Sequence, residues 1–435
     1  MRWVPHGGQV PQEPGRITGH ASREGNRHTI MTTARRIVQA AMLALVLGSV
    51  FGLHANAEAW CPFGGIEALY TYAREGNLLC SLGVSNFYAV VALLASALLV
   101  RRAFCGYLCP IGTISEWIGS AARKLGFRPF QVPAAVDRGL SSAKYLLLVA
   151  ILVFTWQASE LVFRGYCPAY ALLGRHGADI TYWAYVVAGA IAVVSLVAAM
   201  PFCRWFCPLA AVLNPVSRFG LARVQRDPHA CTECGRCTAW CPMAIPVDKV
   251  RQVTHSRCLA CMKCSDVCPS KNTRPIAWGP PGWLGHAWPR GSVIGILLAC
   301  AIAAAAAAYF APFPSFIKSR GEEPGRVASL ELRIRDLTCR GRANLLVGFL
   351  DRDDLYRIPG PSPHTPGYYK LEAWPNPGVA VVRISYDPNK TDAEAVRRAV
   401  TEPYFDLGTN RWWHSPFVIE GYTPPGLDGV QDSPP

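Results

Sequence analysis

The chain has 435 residues, of which 51% are hydrophobic, and its formal net charge is +14. It is too long for a ferredoxin alone and too apolar for an ordinary soluble enzyme. Because most of the basic residues flank apolar stretches, the charge favours anionic lipid headgroups over nucleic acid as the partner.

Residues 1–33 are predicted to form a disordered or non-native segment, since the first part is polar and rich in Gly, Arg and His. Met31 is a candidate start, because basic residues and an apolar stretch follow it. That stretch, together with Ala55-Asn56-Ala57, also satisfies a secretory signal pattern with a small-residue cleavage site. We interpret it as a retained membrane anchor.

Five nearly charge-free stretches are long enough to cross roughly 30 Å of hydrocarbon as helices. They are residues 37–54, 81–100, 145–163, 180–200 and 293–313. The loops after the second and fourth stretches are rich in Arg and Lys, whereas those after the first and third hold few. The positive-inside rule then places the loop after the fourth span in the cytoplasm and the region after residue 313 outside. The sequence predicts a polytopic α-helical protein of a bacterial inner membrane, with a four-span domain over 34–225 and a linker and fifth span over 276–313.

Cysteine-proline pairs recur in the two halves of the four-span domain, which is typical of a duplicated unit. The outer pairs, after the first and third spans, are Cys61-Pro62 and Cys167-Pro168. The inner motifs, of the form C-x3-C-P, are Cys105 to Pro110 and Cys203 to Pro208. At helical spacing the two cysteines of each inner motif are predicted to share one helix face. Symmetric packing of the halves would bring Cys105, Cys109, Cys203 and Cys207, which we name the four-thiol site, to one membrane depth.

The four-thiol site is consistent with a further iron–sulfur centre, a thiol–disulfide relay, or transient binding of copper or zinc. Packing cysteines are the alternative, but recurrence at one spacing before a proline favours a redox or metal role. For Cys61, Cys80 and Cys167, an oxidising compartment permits one disulfide, and metal ligation by Cys61 and Cys167 stays open. Cys300, alone in an alanine-rich span, is predicted only to pack.

Two tandem C-x2-C-x2-C-x3-C-P runs occupy a predicted ferredoxin domain over 226–275. The spacing is typical of paired [4Fe-4S] clusters, in which the fourth cysteine of each run binds the other cluster. Zinc sites usually supply separated C-x2-C hooks, and disulfides need no triplet repeat. We therefore assign the ligands to two sets: set I is Cys231, Cys234, Cys237 and Cys268, and set II is Cys258, Cys261, Cys264 and Cys241. A cytoplasmic position agrees, because cluster thiolates must stay reduced until metal arrives.

Residues 325–422 are predicted to form a periplasmic α+β domain of ferredoxin-like order βαββαβ, followed by a tail over 423–435. Its strands are 330–335, 368–373, 379–386 and 416–422, and its helices are 344–350 and 392–400. The segment around Cys339 resembles heavy-metal-associated domains, although Arg342 replaces their second cysteine and Leu337 their methionine. One thiolate is a poor site for Cu(I), so we favour a docking domain for a periplasmic partner over a metal carrier.

Between about residues 60 and 269 the chain resembles the NapH/MauN-type membrane ferredoxins, relatives of the membrane part of NosR. The resemblance rests on the outer Cys-Pro pairs, the two C-x3-C-P motifs and the paired ferredoxin motif. It implies electron transfer between quinol, or a cytoplasmic donor, and a periplasmic redox protein. It also implies a quinol-dehydrogenase-like component and makes a quinone a further candidate cofactor.

Two alternatives remain open. The copper-reducing CcoG proteins share the plan of spans, cytoplasmic ferredoxin and terminal outer domain, so a copper reductase or an assembly factor for a respiratory enzyme is the first. A membrane redox sensor is the second. No catalytic residue is predicted, and no glycine-rich nucleotide loop follows a strand, so a built-in NAD or flavin dehydrogenase is not expected.

Overall fold

The computed structural model describes residues 30–53, 62–75, 84–127, 130, 132–158, 162–174, 181–269, 275–281, 287–311, 313–320, 323–335, 337, 340–351, 368–374, 379–406 and 411–422. Cys61, Cys80 and Cys339, and the predicted tail over 423–435, lie outside these ranges. The first helix begins at Ile30, within the segment predicted to be disordered.

The chain up to residue 218 is helical where it is described. Its helices are α1 (Ile30–Leu47), α2 (Pro62–Glu75), α3 (Val84–Val100), α4 (Ala103–Tyr107), α5 (Pro110–Lys124), α6 (Ala134–Ala158), α7 (Pro168–Leu173), α8 (Tyr182–Val197) and α9 (Pro208–Arg218). A π-helical turn at Gly48–Gly52 extends α1, another spans Phe202–Phe206, and a 3-10 turn spans Val162–Tyr166. Further on come the short helices α10 (Arg236–Ala239) and α11 (Lys263–Asp266), and then α12 (Ser292–Phe310).

Three described helices are long and apolar enough to cross a membrane, over Met31–Gly52, Ala135–Thr155 and Ser292–Phe310. Two shorter apolar helices, Asn86–Val100 and Tyr182–Val197, lie within the second and fourth predicted spans. The predicted start of the third span at residue 145 is wrong, because α6 begins at Ala134. Charged residues in the first turns of α6 lower the hydropathy there, so the stretch did not read as part of a span. Both charges are partnered: Asp137 is buried against Arg204, and Lys144 Nζ donates to the Arg204 carbonyl at 3.2 Å.

The apolar helices share one end, which contacts the cysteine-rich loop between residues 226 and 269. Thr32, near the start of α1, donates to Asp266 of this loop at 2.5 Å. Asp137, near the start of α6, pairs with Arg257 of the loop at 2.8 Å. The helices α1 and α6 therefore both run away from the loop.

Helix α12 packs along α3 in the opposite direction. At the far end of this pair, the Tyr88 hydroxyl donates to the Ala311 carbonyl at 2.7 Å, and the ring of Phe313 meets that of Phe87 at 5.2 Å. Because aromatic side chains concentrate at membrane interfaces, this cluster is a natural boundary for the far ends of α3 and α12.

Two short strands frame the cysteine-rich loop. Strand β1 (Arg223–Arg226) pairs antiparallel with β2 (Ile276–Gly279), and Trp278 of β2 is buried. The hydrophobic core around Trp278 continues without interruption into Val100 and Tyr107 of the helical part. The loop is thus packed into the membrane part rather than tethered to it.

The C-terminal part is a four-stranded antiparallel sheet with helices. Strands β3 (Phe316–Ser319), β4 (Ala328–Arg335), β5 (Tyr368–Trp374) and β6 (Val379–Tyr386) lie in the order β3-β5-β6-β4. Helices α13 (Arg340–Asp351) and α14 (Ala393–Thr401) follow β4 and β6, and a small hairpin joins β7 (Tyr404–Asp406) to β8 (Arg411–Trp413). The predicted last strand over 416–422 is wrong: this segment forms one isolated bridge, in which Ile419 pairs with Ile334 at the free edge of β4. The sequence did not predict β3, which is short and buries only Phe316.

Candidate metal centres

The described Cys-Pro pairs of the helical part each begin a helix, unlike those that end the two ferredoxin-type runs. Cys109, Cys167 and Cys207 have ψ angles of 118°, 117° and 119° and precede α5, α7 and α9, whose first residue is proline. A residue before proline avoids the α region, whereas proline itself suits the first helical position. The prediction that the cysteines of each inner motif share one helix face is therefore wrong: Cys105 lies in α4 and Cys203 in the π-helical turn, and the chain is extended at their partners.

The four thiols nevertheless lie within electrostatic reach of one another. Burial raises the pKa of Cys109 to about 12, and negative charge on Cys105 or Cys207 adds to the shift. Burial and Cys105 likewise raise the pKa of Cys207 to about 12, and burial with the other three thiols raises the pKa of Cys203 well above its usual value. Thiols of this kind stay protonated at neutral pH until a bound cation displaces their protons, as in thiolate metal sites.

Arg102 connects the four-thiol site to the cysteine-rich loop. Its guanidinium is fully buried and donates to Cys105 Sγ at 3.8 Å and to the Cys203 carbonyl at 3.2 Å. A third contact runs to Asn214 Oδ1 at 3.1 Å, whereas Nε has no partner. The backbone N–H of the same residue donates to the Cys258 carbonyl at 3.3 Å.

A cavity of about 30 Å³ lies within the second half of the cysteine-rich loop. The four cysteines of set II line it: Cys241 comes from the first run, and Cys258, Cys261 and Cys264 come from the second. The remaining wall is mainly apolar, with Met243, Ile245, Val247, Val253, Leu259 and Met262 among its residues. The four cysteines of set II therefore line one partly open cavity, and the crossed ligand assignment stays a prediction.

The cysteines of set I lie nearer to the surface. Cys234 is exposed and Cys237 is buried, and Cys237 is in electrostatic reach of both Cys231 and Cys264 of set II. Cys268 is half-buried against the same core. The two sets are therefore neighbours. Among the described residues, no three His, Cys, Asp or Glu side chains are grouped around a single metal ion, whereas each cysteine of a [4Fe-4S] site binds a different iron.

The two cysteine runs share an unusual backbone. Glu233 and Gly235 flank the second cysteine of the first run with φ angles of 52° and 67°. At the same positions of the second run, Ala260 and Met262 have φ angles of 50° and 58°. Non-glycine residues in this left-handed region cost of order 1–3 kcal/mol each and persist where a site requires them. Loops wound tightly in this way fit a buried cluster better than an ordinary surface turn.

Two buried carboxylates clamp the second cysteine run to the membrane part. Glu116 of α5 pairs with Lys263 at 2.6 Å, accepts from Gln39 at 3.0 Å, and pairs closely with Arg35 of α1. Burial alone would raise the pKa of Glu116, but the charges of Arg35 and Lys263 outweigh it and lower the pKa to about 2.

Asp137 of α6 is the second clamp. It accepts from Arg204 at 2.6 Å and from Trp205 at 2.8 Å, both within the second inner motif. It also pairs with Arg257, next to Cys258, at 2.8 Å. The second inner motif is therefore tied to Arg257 through Asp137, and the first to Lys263 through Glu116 and Arg35, which donates to the Gly106 carbonyl at 2.8 Å.

Replacing Glu116 by glutamine is expected to destabilise the fold by about 3–5 kcal/mol, because it leaves Arg35 and Lys263 buried without their carboxylate. The folded pKa lies below the usual value of 4.5, so the clamp contributes fully above about pH 4.5 and is lost as the pH falls towards 2. Denaturant unfolding of the full chain in detergent measures the difference. Glu331→Gln is the matched control, because its pair with Arg383 is exposed and worth at most about 1 kcal/mol. Equal stability of the two variants would refute the clamp.

Sequence reasoning missed these contacts. Arg101, Arg102 and Arg204 count as loop charges in the sequence, yet all three are buried. A signal was present for the carboxylates: Glu116 and Asp137 are the only acidic residues between positions 101 and 144, in a stretch otherwise rich in cations.

Other predicted positions fall elsewhere in the fold. Cys167 is buried at the start of α7, and Cys300 is half-buried in α12. Leu337, at the methionine position of the heavy-metal-associated resemblance, is fully buried in the C-terminal core. Arg342 follows in α13, while Cys339 lies outside the described residues.

Family models match the cysteine-bearing segments. A model described as "4Fe-4S binding domain" matches residues 82–128 and again 180–226, so each match covers one inner motif and the apolar helix before it. A model described as "4Fe-4S dicluster domain" matches residues 223–269. The double match agrees with the internal repeat read from the Cys-Pro pairs.

Several known proteins are similar to about half of the chain or somewhat less. The Escherichia coli protein YccM is 31% identical over 52% of this chain and 64% of its own length. The ferredoxin-type protein NapH of Haemophilus influenzae is 29% identical over 54% of this chain and 86% of its own length. The regulatory protein NosR of Pseudomonas aeruginosa is 31% identical over 39% of this chain and 25% of its own length. The chain thus spans less than two thirds of YccM and a quarter of NosR, and no solved structure matches it significantly.

Proposed function

We propose that this chain, whose residues 82–269 are those of a NapH-type membrane 4Fe-4S protein, transfers electrons between a donor at its cysteine-rich loop and a redox partner across the membrane. One observation carries the proposal: the set II loop is seated on the first inner motif. The Arg102 N–H donates to the Cys258 carbonyl at 3.3 Å, and the Tyr107 hydroxyl donates to the Ala260 carbonyl at 3.2 Å. These contacts support a position of the set II cysteines beside the four-thiol site.

Sets I and II would each hold one [4Fe-4S] cluster, and the four-thiol site would hold a further thiolate-bound metal centre. When bound, these centres supply one-electron carriers. The set II cavity and the matching left-handed loops support the two clusters. The burial and mutual proximity of the four thiols, with a 4Fe-4S family match on each half, support the third centre.

Residues around the set II cysteines would set the polarity and the position of the cluster bound there. Leu259 and Met262 are buried in the wall of the set II cavity and keep water from it, which lowers the local dielectric and helps set the potential. Glu116 and Asp137 hold Lys263 and Arg257, and with them the second run, against the membrane part. The order of the sites is set I, set II, four-thiol site.

The direction of the helices supports five spans. Helices α1 and α6 run away from the cysteine-rich loop, and α12 runs from β2 to the C-terminal sheet. With the positive-inside rule, the loop is cytoplasmic and the C-terminal domain periplasmic in a bacterial inner membrane. The donor is then quinol or a soluble cytoplasmic reductant, and the acceptor is a periplasmic redox protein.

The C-terminal domain is proposed to dock that partner. The strand order, with the segment at Ile419 beside β4, is that of the split βαβ plan. Leu337 stands where heavy-metal-associated domains have methionine, and it is buried in the core. This position therefore supplies no thioether ligand. A docking surface is therefore favoured over a metal carrier.

Electron transfer across a bilayer tests the proposal. The full chain is inserted into liposomes that enclose ferricyanide, and dithionite, which does not cross the membrane, is added outside. Wild type and Cys300→Ser, a cysteine variant outside every proposed site, are expected to bleach the enclosed ferricyanide at the same rate. Cys261→Ser is expected to slow bleaching to the rate of empty liposomes. An equal rate for Cys261→Ser and wild type would refute electron transfer through the loop.

A membrane redox sensor is the second candidate function, favoured by the similarity to NosR, a regulatory protein. The phenotype of a deletion strain distinguishes electron transfer from redox sensing. Loss of a respiratory electron-transfer activity with unchanged transcription supports the first, and altered transcription with the activity intact supports the second.

A further inference from the structure

Arg102 is a buried cation whose charge is balanced by no carboxylate among the described residues. Its guanidinium contacts two neutral oxygens, on Cys203 and Asn214, and the sulfur of Cys105. Its Nε has no partner in the described part of the chain. Burying an unpaired charge is costly, so the site is complete only when negative charge is present beside the guanidinium.

The four-thiol site is the nearest source of that charge. Arg102 donates to Cys105 Sγ at 3.8 Å and to the backbone carbonyl of Cys203 at 3.2 Å, so its guanidinium contacts one cysteine of each inner motif. Four thiolates around a metal centre carry more negative charge than most such centres cancel, so a cation beside them is favourable.

The second half of the internal repeat carries no cation at the corresponding position. When the inner motifs are aligned on Phe104 and Phe202, the residue that corresponds to Arg102 is Met200. Met200 is also fully buried, in the same hydrophobic core as Cys105 and Cys203. The second half therefore has an apolar side chain here, and the buried cation is a property of the first half alone.

We propose that Arg102 is a positioning residue that sets the reduction potential of the centre held by the four-thiol site, and this rests on the third centre of the proposed function. Reduction adds negative charge to the centre. A fixed cation in a dry site stabilises that added charge, so it raises the potential. The backbone N–H of Arg102 also donates to the Cys258 carbonyl. Arg102 therefore links the centre at the four-thiol site to the cluster proposed for set II.

Anaerobic redox titration of the full-length chain, followed by EPR, tests this. In Arg102→Met, which gives both halves the same residue, the centre is expected to titrate at a lower potential than in wild type. Arg102→Lys keeps the charge and is expected to restore most of the wild-type potential. The potential of set I is the internal control and is expected to stay unchanged in both variants.

An unchanged potential in Arg102→Met, with the centre assembled, would overturn the proposal and leave the proposed function standing. If Arg102→Met does not retain the centre, Arg102→Gln supplies the comparison, because it removes the charge and keeps an amide donor for the Cys203 carbonyl. Absence of any third centre in wild type would overturn the role of Arg102 together with the third centre. The two ferredoxin-type signals would still report on the remainder of the proposed function.

Discussion

Replacing Cys241 by serine is expected to abolish the cluster held by set II and to leave that of set I in place. Cys241 belongs to the first run in sequence, yet it lines one cavity with Cys258, Cys261 and Cys264. Loss of one thiolate ligand weakens or removes a thiolate-bound centre. Iron bound by the loop is expected to fall by about four atoms per chain, the content of one [4Fe-4S] cluster.

EPR of the reduced, anaerobically purified protein measures which cluster is lost. Cys268→Ser is the reciprocal variant and is expected to remove the set I signal. Cys300→Ser, with the same substitution in α12, is expected to retain both. A Cys241→Ser protein that loses only the set I signal would refute the crossed assignment.

Replacing Cys105 or Cys203 by serine is expected to remove the third centre in either case. The two residues come from different halves of the repeat, about a hundred positions apart in sequence. They share a buried guanidinium, since Arg102 donates to Cys105 Sγ and to the Cys203 carbonyl. A centre held by one half alone would be lost in only one of the two variants.

Metal content beyond that of the two ferredoxin-type clusters, together with its spectroscopic signal, is the measurement. Rates across the liposome bilayer are expected to fall in parallel with its loss. Full electron transfer in a variant with all four cysteines replaced by serine, and with the other clusters intact, would return these residues to a packing role.

The cysteine runs, one strand and the long helices could be predicted from the sequence, because each depends on the spacing of residues that are close together in the chain. The cysteine runs are short, so Cys231, Cys234 and Cys237 must lie in one loop, and the second run follows the same rule. The strand from Val379 to Tyr386 alternates along its length, and its side chains alternate in burial. Apolar stretches predicted the positions of the long helices. The predicted start of α6 was too late, because Asp137 and Lys144 lie in its first turns.

The remainder depends on contacts between distant residues. Proline interrupts each inner motif, so the convergence of the four thiols results from tertiary packing and not from a shared helix face. Glu116 is 81 positions from Arg35 and 147 positions from Lys263. Hydropathy alone assigns these three residues to a basic, water-facing end of the helix bundle and does not predict that they pair. The burial of Arg102 could not be predicted because its ordinary role beside a span is topological. Predictions for Cys61, Cys80 and Cys339 lie outside the described residues.

Iron and acid-labile sulfide in the anaerobically purified wild-type chain test the central claim most directly. Two [4Fe-4S] clusters in sets I and II require about eight irons and about eight sulfides per chain. We expect that content in the loop, with further metal that disappears in both Cys105→Ser and Cys203→Ser. A folded, membrane-inserted chain that binds about four irons or fewer under the same conditions would contradict the account.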